Sequence, residues 1–396
     1  MKKQTKNKIW RKVKLGEIVD VYGGGTPSTL NSKYWSGDIA WLTPAEVVAL
    51  SGHRFIDKTE RYITEEGLKN SSVKVMPINS LLLTSRATIG EIVINKVPMA
   101  TNQGFINIQP RKIDLMFLFY WLKKNQKFLN QMAIGSTFNE LSKSVFKKIE
   151  IFLPEDISDQ KRIASILSAF DDKIELNNKI NQILEQIAQA IFKEWFNKSS
   201  NFKVQISKLK RWEIGDLYEL IEFEGGSQPP KEEHIYKKQP GYIRFIQNRD
   251  YTSNAHVTYI KESKRNKMCD EYDIMMDKYG EAGKVRFGIR GAYNVALAKI
   301  IPKPPLTREY LRWFLKQREI EELIKASAVA STRASVNKIV FKNIKIFLPP
   351  KELMLKFEEI GKKYIEYHLY LKKENQKLAE LRDLLLPKLM SGEIRV

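Results

Sequence analysis

The chain has 396 residues, 43% of them hydrophobic, which is enough to form about two or three ordinary cores. A single cysteine, Cys269, excludes an internal disulfide framework and a thiolate metal cluster, and the lack of any apolar stretch of about 18 residues excludes a membrane span. The formal net charge of +21 at pH 7 favours a polyanionic partner, because each lysine or arginine placed on a phosphate releases condensed counterions.

Residues 1–154 are predicted to form a first domain of mixed α and β structure. The basic N-terminus has no apolar core, so no secretory signal is predicted and the protein is expected to be cytoplasmic. Short apolar stretches such as Leu81–Leu83 and Ile92–Ile94 are typical of strands that lie between turns rich in glycine and asparagine. Near the end of the domain, the apolar segment from Leu115 to Leu129 predicts one helix.

Residues 155–199 are predicted to form a long spacer helix. No glycine or proline interrupts residues 158–196, and Ser158 or Asp159 can cap the first turn. The segment from Asp159 to Lys161 could instead be half of a nuclease site made of carboxylates and a lysine, but no second carboxylate motif accompanies it. Heptad spacing gives the helix a mostly apolar seam, which requires a partner helix. The seam positions are Ile163, Ile166, Phe170, Lys173, Asn177, Ile180, Leu184, Ile187 and Ile191.

Residues 200–349 are predicted to form a second domain that is built like the first. The apolar stretches Tyr242–Ile246 and Ala296–Ile301 are typical of strands, and a helix is predicted from Tyr310 to Leu323. The closing segment VFKNIKIFLP, Val340–Pro349, matches VFKKIEIFLP, Val145–Pro154, at eight of ten positions and at an offset of 195 residues. A match of this length indicates two halves that share one scaffold.

The openings of the two domains also match. Leu15–Ile18 corresponds to Ile214–Leu217, and Gly24–Pro27 corresponds to Gly226–Pro229. Between these points and the closing segments the two sequences diverge freely. This pattern favours one binding architecture that is used on two different targets.

Residues 350–396 are predicted to form a second spacer helix, which Pro387 is expected to end. Its seam positions are Phe357, Ile360, Tyr364, Tyr367, Leu371, Glu374, Leu378, Leu381 and Leu385. The two seams are predicted to pair as an antiparallel coiled coil, which would give the molecule a pseudo-twofold axis. The alternative is that each amphipathic helix packs only on its own domain.

The excess positive charge lies in the two predicted domains. Residues 1–154 and residues 198–349 each carry a net charge of +11, whereas residues 155–197 carry −3 and residues 350–396 carry +2. This distribution favours nucleic acid as the partner of both domains. The alternative is that the charge only keeps the protein soluble.

Four short sequence motifs resemble those of a known family. They are YGGGTPS at Tyr22–Ser28, NQGF at Asn102–Phe105, QKRIA at Gln160–Ala164 and LLLPKLMSGEI at Leu384–Ile394. With two divergent basic domains that are each followed by a long helix, the whole chain resembles the specificity subunit of Type I DNA restriction-modification enzymes.

The resemblance implies a DNA-binding subunit that is not itself an enzyme. Each domain would recognise one half of a bipartite target in double-stranded DNA, and the helices would set the gap and dock two methyltransferase subunits. Restriction and translocase subunits would join through the complex; S-adenosylmethionine, ATP and Mg would belong to those partners, and this chain would bind no cofactor. In agreement, the chain has neither an Asn/Asp-Pro-Pro-Tyr/Phe phrase nor a Gly-x-x-x-x-Gly-Lys-Ser/Thr loop. The alternatives are a coiled-coil adaptor of protein partners and a stand-alone nuclease.

The candidate DNA contacts are polar loop residues, because arginine and lysine can recognise guanine, and asparagine and glutamine can recognise adenine. Lys143 and Lys338, which match in the repeat, are predicted to contact phosphate, and Gly24 is predicted to let the backbone approach one. No catalytic residue and no metal ligand are predicted. The candidates of the first domain are Gly24, Thr26, Thr84, Ser85, Arg86, Asn102, Gln103, Ser136, Thr137, Asn139 and Lys143, and those of the second are Gln228, Asn248, Arg249, Lys278, Tyr279, Ser331, Arg333 and Lys338.

Overall fold

The computed structural model describes residues 10–50, 52–133, 139–196, 212–254, 256–329 and 335–396. The chain forms two compact units. The first unit consists of Met1–Leu176 and Glu374–Val396, and the second consists of Asn177–Lys373. Each unit therefore contains one α/β body and about half of each long helix.

The described residues contain 20 β-strands and 11 α-helices. The helices are α1 (Leu15–Ile18), α2 (Pro44–Ala49), α3 (Glu65–Lys69), α4 (Leu115–Lys124), α5 (Gln126–Gln131), α6 (Lys143–Lys148), α7 (Ile157–Phe196), α8 (Leu217–Leu220), α9 (Arg308–Leu315), α10 (Arg318–Val329) and α11 (Lys351–Ser391). The strands are β1 (Trp10–Lys14), β2 (Val19–Gly23), β3 (Trp35–Leu42), β4 (Phe55–Ile56), β5 (Arg61–Ile63), β6 (Leu81–Thr84), β7 (Ile92–Asn95), β8 (Met99–Thr101), β9 (Phe105–Pro110), β10 (Glu150–Pro154), β11 (Glu213–Asp216), β12 (Ile221–Gly225), β13 (Tyr242–Ile246), β14 (Thr258–Lys261), β15 (Met268–Cys269), β16 (Ile274–Asp277), β17 (Val285–Arg286), β18 (Gly291–Tyr293), β19 (Leu297–Pro302) and β20 (Lys345–Leu348).

The strands of the first unit form a five-stranded sheet with the order β2-β9-β6-β7-β4, a three-stranded sheet with the order β5-β3-β8, and the pair β1-β10. The duplicated closing segment supplies β10, which pairs antiparallel with the opening strand β1 so that Val13 lies opposite Ile151. The chain therefore enters and leaves the α/β body at neighbouring points, and α7 begins directly after β10.

The second unit repeats this arrangement with the sheets β12-β19-β16-β17, β14-β13-β18-β15 and β11-β20. Its closing strand β20 again pairs antiparallel with the opening strand β11, with Ile214 opposite Phe347. The parallel pair β13-β18 repeats the parallel pair β3-β8 of the first unit. These matching topologies confirm the prediction that the two halves share one α+β scaffold.

The backbone shows which residues of the two openings correspond. The amide of Leu15 donates to the carbonyl of Ile149 at 2.9 Å, and the amide of Leu217 donates to the carbonyl of Ile344 at 3.0 Å. Leu15 therefore corresponds to Leu217, and the predicted match of Leu15 with Ile214 is wrong. The segment Leu15–Ile18 forms helix α1 in the first unit. In the second unit, Ile214 and the two residues after it belong to strand β11, which precedes the corresponding helix.

Two segments that were each predicted to form one helix are divided in two. The run from Leu115 forms α4 only as far as Lys124, where Asn125 leaves the helical conformation and its side chain donates to the Trp121 carbonyl at 2.8 Å. In the second unit, α9 ends at Leu315 before α10 begins. Both predicted helices were therefore right in position and wrong in continuity.

The main core of each unit includes side chains from the α/β body and from both long helices. In the first unit α4 buries six consecutive residues, 117–122. This core includes Leu81, Phe117, Phe146, Ile151, Ile163, Leu167, Leu386 and Leu389. The corresponding core of the second unit includes Phe192, Leu217, Met276, Trp313, Phe341, Ile346, Phe357 and Ile365.

In the first unit, the long helices pair antiparallel. Asp171 of α7 forms an ion pair with Arg382 of α11, and Lys173 lies 3.5 Å from Glu374. The residue numbers thus rise along α7 as they fall along α11. This direction agrees with the predicted antiparallel coiled coil.

The second unit shows the same direction of pairing. The ring of Phe357 lies 5.3 Å from the rings of both Phe192 and Phe196, close to the end of α7. Earlier in α7, Glu185 raises the pKa of Lys372, although burial of the ammonium has the larger, opposite effect. The helix segments within each unit therefore confirm the antiparallel prediction.

The helices differ from the predicted seam in two respects. Pro387 does not end the second helix, which continues to Ser391. Ile187, Tyr367 and Leu381 occupy predicted seam positions but are 46–49% exposed. On α7 the buried residues advance by about 3.6 residues per turn, as in a straight α-helix, so a strict heptad loses register along this helix. They include Gln160, Ile163, Leu167, Asp171, Asn177, Asn181, Ala188, Phe192 and Phe196.

A buried carboxylate links the first unit's body to both long helices. Asp171 accepts a hydrogen bond from the Tyr120 hydroxyl at 2.7 Å in addition to its ion pair with Arg382. Burial by itself would raise the pKa of Asp171, but Lys123 and Arg382 more than offset that effect and the pKa lies below its ordinary value. The carboxylate is therefore charged in the folded protein at neutral pH.

The second unit buries a histidine among aromatic rings. His368 of α11 lies 5.0 Å from the ring of Phe287 and 5.7 Å from that of Tyr364. Burial, with the nearby ammonium groups of Lys372 and Lys316, lowers the pKa of His368 to about 3. The imidazole is therefore neutral at neutral pH.

Candidate nucleic-acid interface

The first unit carries a glycine-rich loop, residues 23–27, that begins at the end of β2; we call it the first glycine loop. Gly24 packs so closely on the neighbouring backbone that a Cβ atom there would lie 1.8 Å from the carbonyl oxygen of Asn102. The amide of Gly25 donates to the carbonyl of Thr101 at 2.9 Å, and the Trp41 indole donates to the carbonyl of Gly25 at 3.0 Å. Only glycine fits at position 24, and these bonds hold the loop in place.

Predicted polar side chains gather beside this loop. The hydroxyl of Thr26 donates to Oε1 of Gln103 at 2.5 Å, and both residues are exposed. Oδ1 of Asn102 accepts from the amide two residues ahead at 2.9 Å, so this oxygen is engaged within its own turn. The Nζ atom of Lys143 lies 3.1 Å from the point that a Cβ of Gly23 would occupy. The structure thus brings together Gly24, Thr26, Asn102, Gln103 and Lys143.

Three predicted DNA contacts, Thr84, Ser85 and Arg86, lie at the end of β6 and in the turn after it. Only Arg86 is exposed. The hydroxyl of Thr84 donates to the carbonyl of Thr88 at 2.5 Å, and both Thr84 and Ser85 are buried. Their burial argues against the predicted base contacts, because the turn itself uses the Thr84 hydroxyl. The guanidinium of Arg86 lies 2.9 Å from the carboxylate of Glu140, and its side chain is 46% exposed.

The Arg86 turn is joined to the loop surface through the backbone. The amide of Ser85 donates to the carbonyl of Gly104 at 2.8 Å, which ties it to the turn that contains Asn102. Asn139, another predicted residue, is exposed next to the partner of Arg86. The four remaining candidates, Ser136, Thr137, Ser331 and Arg333, lie outside the described residues.

The second unit has a corresponding loop, residues 225–229, which we call the second glycine loop. A Cβ on Gly226 would lie 2.0 Å from the carbonyl oxygen of Asn294. Gly226 therefore corresponds to Gly24 in space as it does in sequence. Gln228 is exposed at the place that Thr26 takes in the first unit, so the same scaffold presents a different side chain.

Lys278 and Tyr279 correspond to Ser85 and Arg86. The carbonyl of Lys278 accepts an amide hydrogen bond at 3.1 Å from the segment that precedes the closing strand, as the carbonyl of Ser85 does at 3.0 Å. Tyr279 is 44% exposed. The Nζ atom of Lys278 lies 3.8 Å from the point that a Cβ of Gly225 would occupy.

Asn248 and Arg249 lie beside this turn in the second unit. The side-chain amide of Asn248 donates to the carbonyl of Tyr279 at 3.0 Å, so the two predicted residues are in contact. Arg249 follows in the chain and is exposed. Five predicted residues of the second unit therefore belong to one surface with the second glycine loop: Gln228, Asn248, Arg249, Lys278 and Tyr279.

Lys338 does not take the position that the sequence repeat predicts. Its Nζ atom lies 4.5 Å from the centre of the Tyr218 ring. Among the described residues, Lys278 is the only neighbour within 4 Å of a Cβ placed on Gly225, whereas Lys143 fills the equivalent position over Gly23. The two lysines that match in sequence therefore differ in their surroundings.

Two further residues of the first unit lie at the loop surface without having been predicted. The hydroxyl of Ser72 lies 2.6 Å from the point that a Cβ of Gly25 would occupy. The Nζ atom of Lys74 lies 3.5 Å from the centre of the Tyr22 ring. Neither residue belongs to a motif, so no sequence signal distinguishes them from ordinary polar residues of a turn.

An ion-pair cluster that was also not predicted supports the corresponding turn of the second unit. Arg286 donates to Asp277 at 2.8 Å and to Glu281 at 2.5 Å. Burial raises the pKa of Asp277 above its ordinary value, although Arg286 opposes this effect. Asp277 immediately precedes Lys278, so the cluster supports its backbone where the first unit uses the Thr84 hydroxyl.

Both loop surfaces combine closely packed backbone with cations, amides or hydroxyls, which are groups that can hydrogen-bond to phosphates and base edges. Within the described ranges, no group of three or more His, Cys, Asp or Glu side chains is placed to hold a metal ion. No helix in the same ranges is both long enough and apolar enough to cross a membrane.

Comparison with known proteins gives matches over both halves of the chain. The family described as Type I restriction modification DNA specificity domain matches twice, over residues 7–186 and 209–380. The specificity subunit of Type I restriction enzyme MjaIX from Methanocaldococcus jannaschii is 33% identical, over 98% of this chain and 94% of that protein. The EcoR124I/EcoR124II specificity subunit from Escherichia coli is also 33% identical, over 42% of each chain.

A solved structure supports the fold. The S subunit of a Type-I restriction-modification system from M. genitalium superposes on this chain with a TM-score of 0.60. The alignment covers 98% of this chain and 97% of the other, at 18% sequence identity. The shared architecture thus extends over both units.

Proposed function

The chain belongs to the Type I restriction-modification specificity family, and we propose that each of its two units recognises one half of a bipartite target in double-stranded DNA. The observation that carries this proposal is the repeated loop surface. In both units a glycine, Gly24 or Gly226, packs on a backbone carbonyl while different polar side chains surround it. A shared scaffold with different exposed side chains suits two different half-sites. Family membership favours this function over a coiled-coil adaptor or a stand-alone nuclease.

The exposed side chains divide into base and phosphate contacts. In the first unit, Arg86 can recognise guanine and Gln103 can recognise adenine once their internal bonds open. In the second unit, Tyr279 occupies the place of Arg86, and Gln228 occupies the place of Thr26, the residue that bonds to Gln103. Lys143, over the first glycine loop, contacts phosphate and contributes to affinity without selecting a sequence.

The distribution of charge supports DNA as the partner of both units. Residues 1–154 and residues 198–349 each carry a net charge of +11. Such charge makes binding strongly salt-dependent, because each phosphate contact releases condensed counterions. A structural adaptor would not need this excess on both α/β bodies.

The long helices dock two methyltransferase subunits, through which restriction and translocase subunits join the complex. In the second unit, Ile183, Ile187, Tyr367 and Tyr370 lie on these helices and are 45–58% exposed, which gives a partner an apolar surface. This chain is non-catalytic and binds no cofactor, and it acts in the cytoplasm. S-adenosylmethionine belongs to the methyltransferase partners, and ATP and Mg belong to the restriction partner.

An exchange of α/β bodies tests the proposal. Because the amide of Leu15 bonds to Ile149, the ends of residues 15–150 lie together, and this segment can be replaced by that of a relative. The matched exchange in the second unit replaces residues 217–345. Each chain would be produced with its methyltransferase subunits, and modified bases would be sequenced genome-wide. We expect a bipartite motif in which each exchange alters a different half; a continuous motif, or one exchange that alters both halves, would contradict the proposal.

A further inference from the structure

A lysine lies over the glycine loop of each unit, but the two lysines come from different segments of the scaffold. The Nζ atom of Lys143 lies 3.1 Å from a Cβ placed on Gly23, and that of Lys278 lies 3.8 Å from a Cβ placed on Gly225. The two glycines correspond, because each immediately precedes the glycine that packs on a backbone carbonyl. The sequence repeat, by contrast, pairs Lys143 with Lys338.

The surroundings of Lys338 explain why it does not reach the second glycine loop. Its ammonium lies 4.5 Å from the centre of the Tyr218 ring, where the electron-rich face attracts a cation. Tyr218 occupies the place of Gly16, since each follows the first residue of its matched helix. Gly16 has no side chain to hold a lysine, so Lys143 is free to extend over Gly23.

Lys278 supplies the missing cation from the turn after β16. The backbone of Lys278 makes the same hydrogen bond as the backbone of Ser85 in the first unit. The Ser85 side chain is buried and is too short to reach a neighbouring loop. A lysine at this point reaches Gly225 with its flexible stem. Lys278, at the place of Ser85, therefore supplies over the second glycine loop the cation that Lys338 does not supply.

Both loop lysines are available to a polyanion. Among the described residues, neither Lys143 nor Lys278 has a carboxylate oxygen within 4.0 Å of its ammonium. The adjoining glycines carry no side chain, so a phosphate can approach the ammonium and the backbone together. The same combination thus exists in both units.

We propose that Lys278 is the phosphate-binding lysine of the second unit, the counterpart of Lys143, and that Lys338 makes no phosphate contact. This inference rests on the proposed recognition of DNA. It changes the role of Lys278 from a base contact, as its loop position suggested, to a contact that every DNA sequence can satisfy. It leaves Tyr279, at the position of Arg86, as the exposed side chain of that turn.

Salt-dependent DNA binding by single variants tests the inference. The chain would be purified with its methyltransferase subunits, and fluorescence anisotropy would follow binding to two labelled duplexes, one of random sequence and one carrying the site found by modified-base sequencing. The variants are Lys278→Ala, Lys278→Arg and the matched control Lys338→Ala. Thermal unfolding of each variant would show that the fold is kept.

We expect Lys278→Ala to weaken binding to both duplexes by the same factor. It should also reduce the magnitude of the slope of log K against log salt by about 0.9. Lys278→Arg should keep the slope because it keeps the charge, and Lys338→Ala should leave it unchanged. A reduced slope for Lys338→Ala with none for Lys278→Ala would overturn the inference, as would a loss confined to the specific duplex. If the unaltered complex bound neither duplex, the proposed function itself would fail.

Discussion

Two adjacent glycines of the second unit should respond in opposite ways to the addition of one methyl group. A Cβ on Gly226 would lie 2.0 Å from the Asn294 carbonyl oxygen, whereas the only neighbour within 4 Å of a Cβ on Gly225, among the described residues, is the end of the flexible Lys278 side chain, at 3.8 Å. Cβ atoms essentially never come within 3.0 Å of a heavy atom in a distant part of the chain. In Gly226→Ala, the new Cβ and the Asn294 carbonyl oxygen must therefore separate by at least 1.0 Å more, which requires the backbone to move. Forced overpacking costs about 1–3 kcal/mol, and a backbone obstacle places this variant near the upper value.

A cost of about 3 kcal/mol would lower the Tm of a unit of this size by roughly 6–12 °C. Calorimetry should show this decrease for Gly226→Ala, and anisotropy titrations should show weaker binding to duplex DNA, because the displaced loop carries Gln228 away from the surface. Gly225→Ala is the matched control and should keep its Tm. Equal effects of the two substitutions, or an unchanged Gly226→Ala protein, would refute the close packing that defines the loop.

Three further substitutions test single interactions. Arg86→Ala should cost about 1–3 kcal/mol on the specific duplex and relax the preference at one base pair; titrations of singly mismatched duplexes measure this, and an equal loss on every duplex would argue against a base contact. Asp171→Asn should lower the free energy of unfolding at neutral pH by about 3–5 kcal/mol, because Arg382 loses its buried partner. The folded-state pKa of Asp171 lies below 3.8, so its stabilisation is present above that value and disappears as the pH falls through the folded pKa; denaturant titrations of the two proteins should converge in strong acid and differ at neutral pH. The pKa of His368 is lowered from 6.5 to about 3, so its contribution to stability is complete above pH 6.5 and declines as the pH falls toward 3. His368→Phe should therefore flatten the pH dependence of the second unit's Tm. An equally steep fall of Tm in the variant would exclude His368 as the source of that pH dependence.

The scaffold is predictable from sequence where several local signals agree. The closing segments, identical at eight of ten positions, form the matching strands β10 and β20. Gly24 and Gly226 match in the sequence, and both lie against a carbonyl group that leaves no room for a side chain. The long helices follow from uninterrupted apolar periodicity, although the buried positions of α7 have the period of a straight helix and not of a strict heptad.

The loop contacts are less predictable, because they depend on neighbours that are distant in sequence. Thr84 is the last residue of the apolar strand β6 and resembles an exposed loop residue in the sequence, but its hydroxyl closes a turn and the residue is buried. Lys338 aligns with Lys143, yet Tyr218 takes the place of a glycine and holds its ammonium. Nothing in the local sequence of Lys278 indicates that it lies over a loop that begins at Gly225.

The division of each long helix between two units has a consequence for synthesis on the ribosome. Ile163 and Leu167 share a buried cluster with Leu386 and Leu389, which are made after the whole second unit. At about 5–20 residues per second, the first unit waits roughly 10–40 s for its last helical segment. During this time the apolar strip on its helix is exposed to chaperones, proteases and other nascent chains. A premature stop codon shortly after Lys373 would therefore leave the first unit prone to aggregation, although every residue of its α/β body would be intact.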